Sequence, residues 1–395
     1  MPRLIGLTGD GATAEAMRQI DPDVVAAYPI TPQTEIVERF AEFVADGLVN
    51  TEFVAVESEH SAMSACCGSS AAGARTITCT SSQGLALMHE VLYIAAGNRL
   101  PIVLINVNRT LSAPLNIHCD HSDSMGSRDS GWIQLYCENV QEVYDTVIQA
   151  VRIAEHPQVM LPVMVNLDGF VLSHSVERLE LLDDEQVRQF VGPFRPVVDL
   201  LDLEHPPALG ALVAPEFYFE HKYAQWLATD GARAVIAGVG CEFGERFGRS
   251  YGLLDPYRLE DAELALVVLG STAGTARAAV DDLRERGIRA GTLRIRCFRP
   301  FPADEIVEAL KGRRAVAVMD RAGTQGGEGG PVFGEVRAAL YTRGVLLPVI
   351  NYIYGLGGRD VPAASVARVF THLGQVAEAG RVDRAVNYLD LRGWN

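Results

Sequence analysis

The sequence predicts an α/β protein built from two open parallel-sheet domains, and three observations carry that expectation. Short apolar β-branched runs alternate with helix-like stretches. Two of those runs, Pro101–Val107 and Val159–Leu167, are almost wholly apolar, as strands are when both faces of a parallel sheet are covered. The chain has 395 residues, long for one core, and its middle is broken by Pro193, Pro196, Pro206, Pro207 and Pro215.

Taken in order, Val24–Ile30 reads as a strand ending at Thr31-Pro32, and Thr34–Phe43 follows with helical apolar spacing. Glu52–Val56 is a strand, and Ser58–Ala72 a small-residue helix that Gly73 ends. Ala74–Thr80 is a strand, and Ser81-Ser82-Gln83-Gly84 opens a helix over Leu85–Ala96. Gln141–Ala154 is a helix between the two buried strands. Residues 175–255 read as a connecting arm, with glycine-interrupted helix over Ala224–Glu245. A second unit begins near residue 256. It has strands over Glu263–Leu269, Ala290–Arg296, Ala315–Asp320 and Leu347–Ile353, and helices over Thr275–Arg286 and Pro331–Tyr341. The expected division is 1–240 and 256–395.

Whole-chain properties exclude some functions. A net charge of −16 argues against nucleic acid or an anionic membrane as partner, since either calls for a basic face. No apolar run reaches the roughly 20 residues of a membrane helix, and no signal-peptide pattern opens the chain. The seven cysteines (66, 67, 79, 119, 137, 241 and 297) contain no C-x-x-C and no ferredoxin spacing. Free thiols in a reducing cytoplasm are the expectation, with no iron–sulfur ligand set in this chain.

Several short motifs have competing readings. Gly9-Asp10-Gly11 resembles half of a magnesium-diphosphate motif, but the later asparagine is missing and no strand precedes it at the proper distance, so a helix-entry turn is expected. Gly270–Gly274 lacks dinucleotide and P-loop spacing and reads as a structural turn. His118-Cys119-Asp120-His121-Ser122-Asp123 holds enough ligands for zinc, yet adjacent residues do not all converge on one ion, which favours a hydrogen-bonded polar loop. At Val56-Glu57-Ser58-Glu59-His60, either Ser58 simply caps a helix or a carboxylate is aimed at a ligand. Arg109 follows a buried strand, where open sheets form clefts. It reads either as an anchor for a substrate carboxylate or as the partner of Asp120 or Asp123. Thr31 reads as a ligand hydroxyl or, on position alone, as a cap.

Longer strings resemble one family. They are Tyr28-Pro-Ile-Thr-Pro32, Val56-Glu-Ser-Glu-His-Ser-Ala-Met-Ser-Ala65, Ser81-Ser-Gln-Gly-Leu-Ala-Leu-Met88, the run from Asn108 to Gly126, and Asp129-Ser-Gly-Trp-Ile-Gln134. Gly248–Leu253, Leu293–Pro302 and Gly355–Val361 extend the match over about residues 5 to 375. All are similar to the alpha subunit of multi-subunit pyruvate:ferredoxin oxidoreductases.

The resemblance implies a thiamine-diphosphate-binding pyrimidine-type domain followed by a transketolase C-terminal-like domain. It implies decarboxylation of a 2-oxoacid, acyl transfer to coenzyme A and electron transfer to ferredoxin. Thiamine diphosphate would be shared with a beta chain, which would also hold Mg2+ and the nearest [4Fe–4S] cluster, with gamma and delta chains completing the complex. Glu59 matches the glutamate at the cofactor aminopyrimidine, Arg109 the substrate-carboxylate arginine and Thr31 the neighbouring hydroxyl. Ile117 and His118 fall in the loop that walls the pocket. With one matched arginine and no further cation in these segments, pyruvate is the expected substrate. The alternatives are a family member for 2-oxobutyrate, a branched-chain acid, 2-oxoglutarate or oxalate, or a non-catalytic subunit.

Overall fold

The mostly apolar runs become the middle strands of two sheets. A computed structural model describes residues 3–197 and 199–393. The chain opens with β1 (Arg3–Leu7), α1 (Gly9–Ile20), β2 (Val24–Ala27), α2 (Thr34–Ala45), β3 (Glu52–Ala55) and α3 (Glu59–Ala71). Next come β4 (Thr76–Thr80), α4 (Ser82–Gly97), β5 (Val103–Asn108), α5 (Ser122–Gly126), β6 (Ile133–Tyr136), α6 (Val140–Ala154) and β7 (Val163–Asp168). A middle stretch holds β8 (Glu177–Leu181), α7 (Asp184–Val191) and α8 (Pro215–Phe247). Then follow β9 (Leu254–Tyr257), β10 (Leu264–Val268), α9 (Thr272–Glu285), β11 (Ala290–Ile295), β12 (Cys297–Arg299) and α10 (Ala303–Leu310). The chain closes with β13 (Ala315–Asp320), α11 (Pro331–Thr342), β14 (Val349–Ile353), α12 (Ala363–Ala379) and β15 (Val386–Tyr388).

The first sheet has the order β12-β6-β7-β5-β4-β2-β3 and the second β15-β14-β13-β10-β11-β9. Both are parallel apart from one antiparallel edge strand each, β12 and β9. Every residue of β5, β7, β10 and β13 is buried. Helices on each side produce separate apolar layers. On the first sheet, α1, α2 and α6 cover one face and α3 and α4 the other. On the second, α10 and α11 oppose α9 and α12.

Two expectations from the sequence need correcting. A strand does precede the Gly9 turn: β1 pairs antiparallel with β8, about 170 residues away, outside both large sheets. The glycine-rich stretch near Ala224–Glu245 lies within one continuous 33-residue helix, α8. Gly240 and Gly244 serve a packing need there, because a Cβ on either would collide with the backbone of Tyr251 or with Ser250.

The two sheets are also joined. Strand β12, from the second half of the chain, pairs with β6 of the first sheet. Behind it, Glu142 of α6 is clamped by two arginines, Arg294 of β11 at 2.8 Å and Arg296 just past the end of that strand at 3.0 Å. Glu142, Arg294 and Arg296 are all at most 4% exposed. Their placement explains why arginines alternate in Leu293-Arg-Ile-Arg: side chains two apart on a strand share one face.

Candidate active site

Strands β2, β3, β4 and β5 are parallel, so their carboxyl ends deliver the loops after them to one edge, where ligand clefts form in open sheets. After β3, Ser58 caps α3 through its hydroxyl, which accepts from the Ser61 amide at 3.3 Å. Glu59 is thereby fixed as the first helical residue, 7% exposed, where the helix dipole favours a carboxylate. The cap expected from the sequence is present, and the carboxylate beside it is buried.

The Glu59 side chain lies against Gly84 and Thr80, since a Cβ built on Gly84 would stand 2.7 Å from Glu59 Oε1 and also strike Thr80 Oγ1. Among the described residues no group donates a hydrogen bond or pairs with the Glu59 carboxylate. At the same strand end, Thr80 Oγ1 and Ser81 Oγ are buried without partners. A buried polar group left unsatisfied costs about 1–3 kcal/mol. Glu57 differs. It is exposed, and its carboxylate takes the Ser61 hydroxyl at 2.5 Å, a bond that lowers its pKa.

Arg109 follows β5 and is 8% exposed. Its Nη1 donates to the Thr31 carbonyl at 2.9 Å and its Nε to the Asn116 carbonyl at 3.3 Å. The guanidinium forms no ion pair among the described residues. Asp120 is occupied by Ser122 (2.5 Å) and the Gly357 amide (3.1 Å). Asp123 accepts the backbone amide of Arg109 at 3.0 Å rather than its side chain. The internal ion pair considered from sequence is absent among the described residues. Thr31 adjoins it through its carbonyl, while its hydroxyl is exposed. Thr31 does not cap: Gln33 is the residue before α2, with no side-chain cap bond.

The loop after Arg109 leans on the second sheet. Asn116 Nδ2 donates to Gly357 O at 3.0 Å, Gly358 N to Cys119 O at 2.8 Å and His121 N to Arg321 O at 2.8 Å. Ile117 and His118 are exposed on this loop, and the His118 ring lies against Phe170 with centroids 5.4 Å apart.

The two histidines part company. His118 bonds Asn116, whereas His121 is buried on Asp168 at 2.7 Å. Burial would raise the Asp168 pKa, but His121 and Arg321 hold it far below the usual range. Cys119 comes within coordination reach of His121 and Asp168, as His174 and Glu35 do of Asp10. Burial keeps the Cys119 thiol protonated, and Asp168 already has His121, Arg321 at 2.9 Å and Ser271 at 2.5 Å. The Gly270 turn thus carries a carboxylate of this chain on the Ser271 amide and hydroxyl, in keeping with a structural turn.

The Gly9–Gly11 turn enters a helix as expected. Its amides are spent on Leu172 O, Ser173 O and Thr8 Oγ1, so it offers no anion cradle. The sequence reading gave no role to Gly84, Thr80 or the Asp168 network, and it read Asp123 only as a loop residue or an ion partner of Arg109. For Gly84 the local signal was a glycine in the first turn of a helix, where it weakens the helix.

Residues 15–240 match the thiamine-diphosphate-binding domain of pyruvate flavodoxin/ferredoxin oxidoreductases. The chain belongs to that family. Residues 262–366 match its core domain II. The chain is 56% identical to the pyruvate synthase subunit PorA of Thermotoga maritima, over 93% of each chain. It is 45% identical to the ketoisovalerate oxidoreductase subunit VorA of Pyrococcus horikoshii, over 98% of each. Among solved structures, 2-oxoglutarate:ferredoxin oxidoreductase from Magnetococcus marinus is similar with a TM-score of 0.73 at 18% identity, covering 93% of this chain and 65% of that one. A split-gene transketolase is similar with a TM-score of 0.57 at 12% identity, covering 95% and 100%. These two likenesses support the α/β fold of this family.

Proposed function

We propose that this chain is the alpha subunit of a pyruvate:ferredoxin oxidoreductase and supplies the pyrimidine and substrate side of a shared thiamine-diphosphate site. The complex would convert pyruvate and coenzyme A to acetyl-CoA and CO2 while reducing ferredoxin. One observation carries the site reading: an unpaired buried carboxylate, Glu59, and an unpaired guanidinium, Arg109, stand on the same sheet edge.

The residues present suit half of the cofactor. Glu59 offers an acceptor to an amine-bearing ring, while the Gly9–Gly11 amides and the Ser271 amide are already taken by groups of this chain and offer nothing to a diphosphate. When bound, thiamine diphosphate supplies a nucleophilic carbon and a sink for the electrons released by decarboxylation. Glu59 would hold a proton at the ring nitrogen opposite the reacting carbon, Arg109 would orient the substrate carboxylate through its free Nη2, and the exposed Thr31 hydroxyl would meet the substrate beside it.

Mg2+, the diphosphate contacts and the [4Fe–4S] clusters fall to beta, gamma and delta partners. Seven cysteines, none in a disulfide and most buried singly in cores, support that division and a reducing cytoplasm. Among the described residues no helix is long and apolar enough to cross a membrane.

The pocket favours a monocarboxylate. Arg128, the next cation along, is turned to Met125 O at 2.8 Å and Asp129 at 3.7 Å. A branched-chain 2-oxoacid enzyme is the second reading, favoured by the ketoisovalerate relative. The test is kcat/KM on the reconstituted complex for pyruvate, 3-methyl-2-oxobutanoate, 2-oxoglutarate and oxalate. Pyruvate should lead; preference for a dicarboxylate would overturn the substrate assignment.

A further inference from the structure

We propose that Asp123 is a positioning residue that sets Arg109 and the Ser82–Gly84 segment relative to each other, so that the carboxylate anchor and the Glu59 contact stay in register. The inference rests on the reading of Arg109 as the anchor of the substrate carboxylate.

The side chain of Asp123 is buried and stands on α5, between the ends of β4 and β5. Its Oδ2 accepts from the backbone amides of Ser82 at 3.1 Å and Arg109 at 3.0 Å, and from Asn106 Nδ2 at 3.4 Å. Its Oδ1 accepts from Asn108 Nδ2 at 2.9 Å and from the Ser124 amide at 2.7 Å. One carboxylate therefore ties together the residue that starts α4 and the residue that bears the guanidinium. Ser82 is held at φ +50, a conformation that is strained for a residue with a Cβ. Its amide bond to Asp123 and its hydroxyl bond to Thr110 O at 2.6 Å hold it there. Two residues on, Gly84 lies against Glu59.

All five groups around Asp123 are donors. An asparagine at 123 would present its NH2 to an N–H in either orientation, so the near-isosteric change must push at least one arm away. Structural support alone does not require the arms of the pocket to meet at one acceptor, whereas registration of a substrate anchor does.

The experiment is steady-state kinetics of the reconstituted complex carrying Asp123→Asn, with pyruvate and coenzyme A varied separately. Misplacing a positioning group by about 1 Å costs about 10²-fold. We expect pyruvate kcat/KM to fall by about that factor, with pyruvate KM rising at least tenfold and coenzyme A KM unchanged. A merely structural role would lower the active fraction, reducing kcat and leaving pyruvate KM untouched; that result overturns the proposal.

Should Asp123→Asn not assemble, Asn108→Ser removes one donor to Oδ1 and leaves both backbone bonds. It should raise pyruvate KM about threefold, and an unchanged KM overturns the proposal equally. Arg109→Lys is run in parallel. If it raises pyruvate KM and Asp123→Asn does not, only the positioning role falls. If neither moves KM, the anchor assignment of Arg109 falls and takes this inference with it.

Discussion

Replacing Gly84 by alanine separates what the active-site edge does for chemistry from what it does for stability. The added Cβ would sit 2.7 Å from Glu59 Oε1 and 2.9 Å from Glu59 Cγ, and closer still to Thr80 Oγ1. Ordinary contact begins near about 3.5 Å, so the Glu59 carboxylate must retreat by about 0.8 Å. The helix itself gains from the change, since alanine is favoured over glycine by about 0.5–1 kcal/mol in a helix. Overpacking costs about 1–3 kcal/mol, so the net destabilisation is about 0–2.5 kcal/mol. A shift of about 1 Å in a positioned catalytic group lowers the rate about 10²-fold. Gly84→Ala should therefore leave the complex assembled, lower the melting temperature by a few degrees, and cut kcat by one to two orders of magnitude. The assay is pyruvate- and coenzyme A-dependent ferredoxin reduction at saturating thiamine diphosphate, beside a thermal melt. A kcat within about threefold of wild type in the assembled complex would refute the placement of Glu59 against the cofactor.

Glu59→Gln should cut turnover by about 10²–10⁴-fold without loss of assembly, while Glu57→Gln, which alters only an exposed bond to Ser61, should change kcat less than twofold; comparing the two rates checks the assignment. Arg109→Lys should raise pyruvate KM at least tenfold, because an ammonium cannot span a carboxylate bidentately while also holding Thr31 O; substrate titration reads it. Glu142→Gln leaves Arg296 without its buried counter-charge, while Arg294 keeps Glu138 and Asp255, and should destabilise the chain by about 3–5 kcal/mol, measured by denaturant unfolding. The purified single chain should be colourless and iron-free, and stoichiometric iron with visible absorbance would contradict the assignment of clusters to its partners.

Much of the fold was legible because buried parallel strands write themselves as apolar runs, and β5, β7, β10 and β13 did so. Strand β1 was not, since its pairing with β8 depends on residues far along the chain. The continuity of α8 was hidden because its glycines argue locally for a break, while tertiary packing against Tyr251 requires them. Glu59 and Ser58 could be read together because a helix cap is a local event. Asp123 could not: its neighbours in sequence suggest a metal loop, and only the folded chain brings five donors to it. Arg109 stood between two readings until Asp120 and Asp123 were seen to be occupied elsewhere.

The antiparallel pairing of β12 with β6 has a consequence for how the protein is made. Tyr136 leaves the ribosome about 160 residues before Arg299 does. At about 5–20 residues per second the edge of β6 is open for roughly 8–30 s. An open strand edge is a template for pairing with other chains. The nascent first sheet is thus sticky until about a third of the stretch from residue 256 to residue 395 has been translated, and a gene split between residues 247 and 254 would leave that edge open in the product of its first half until the other product pairs with it.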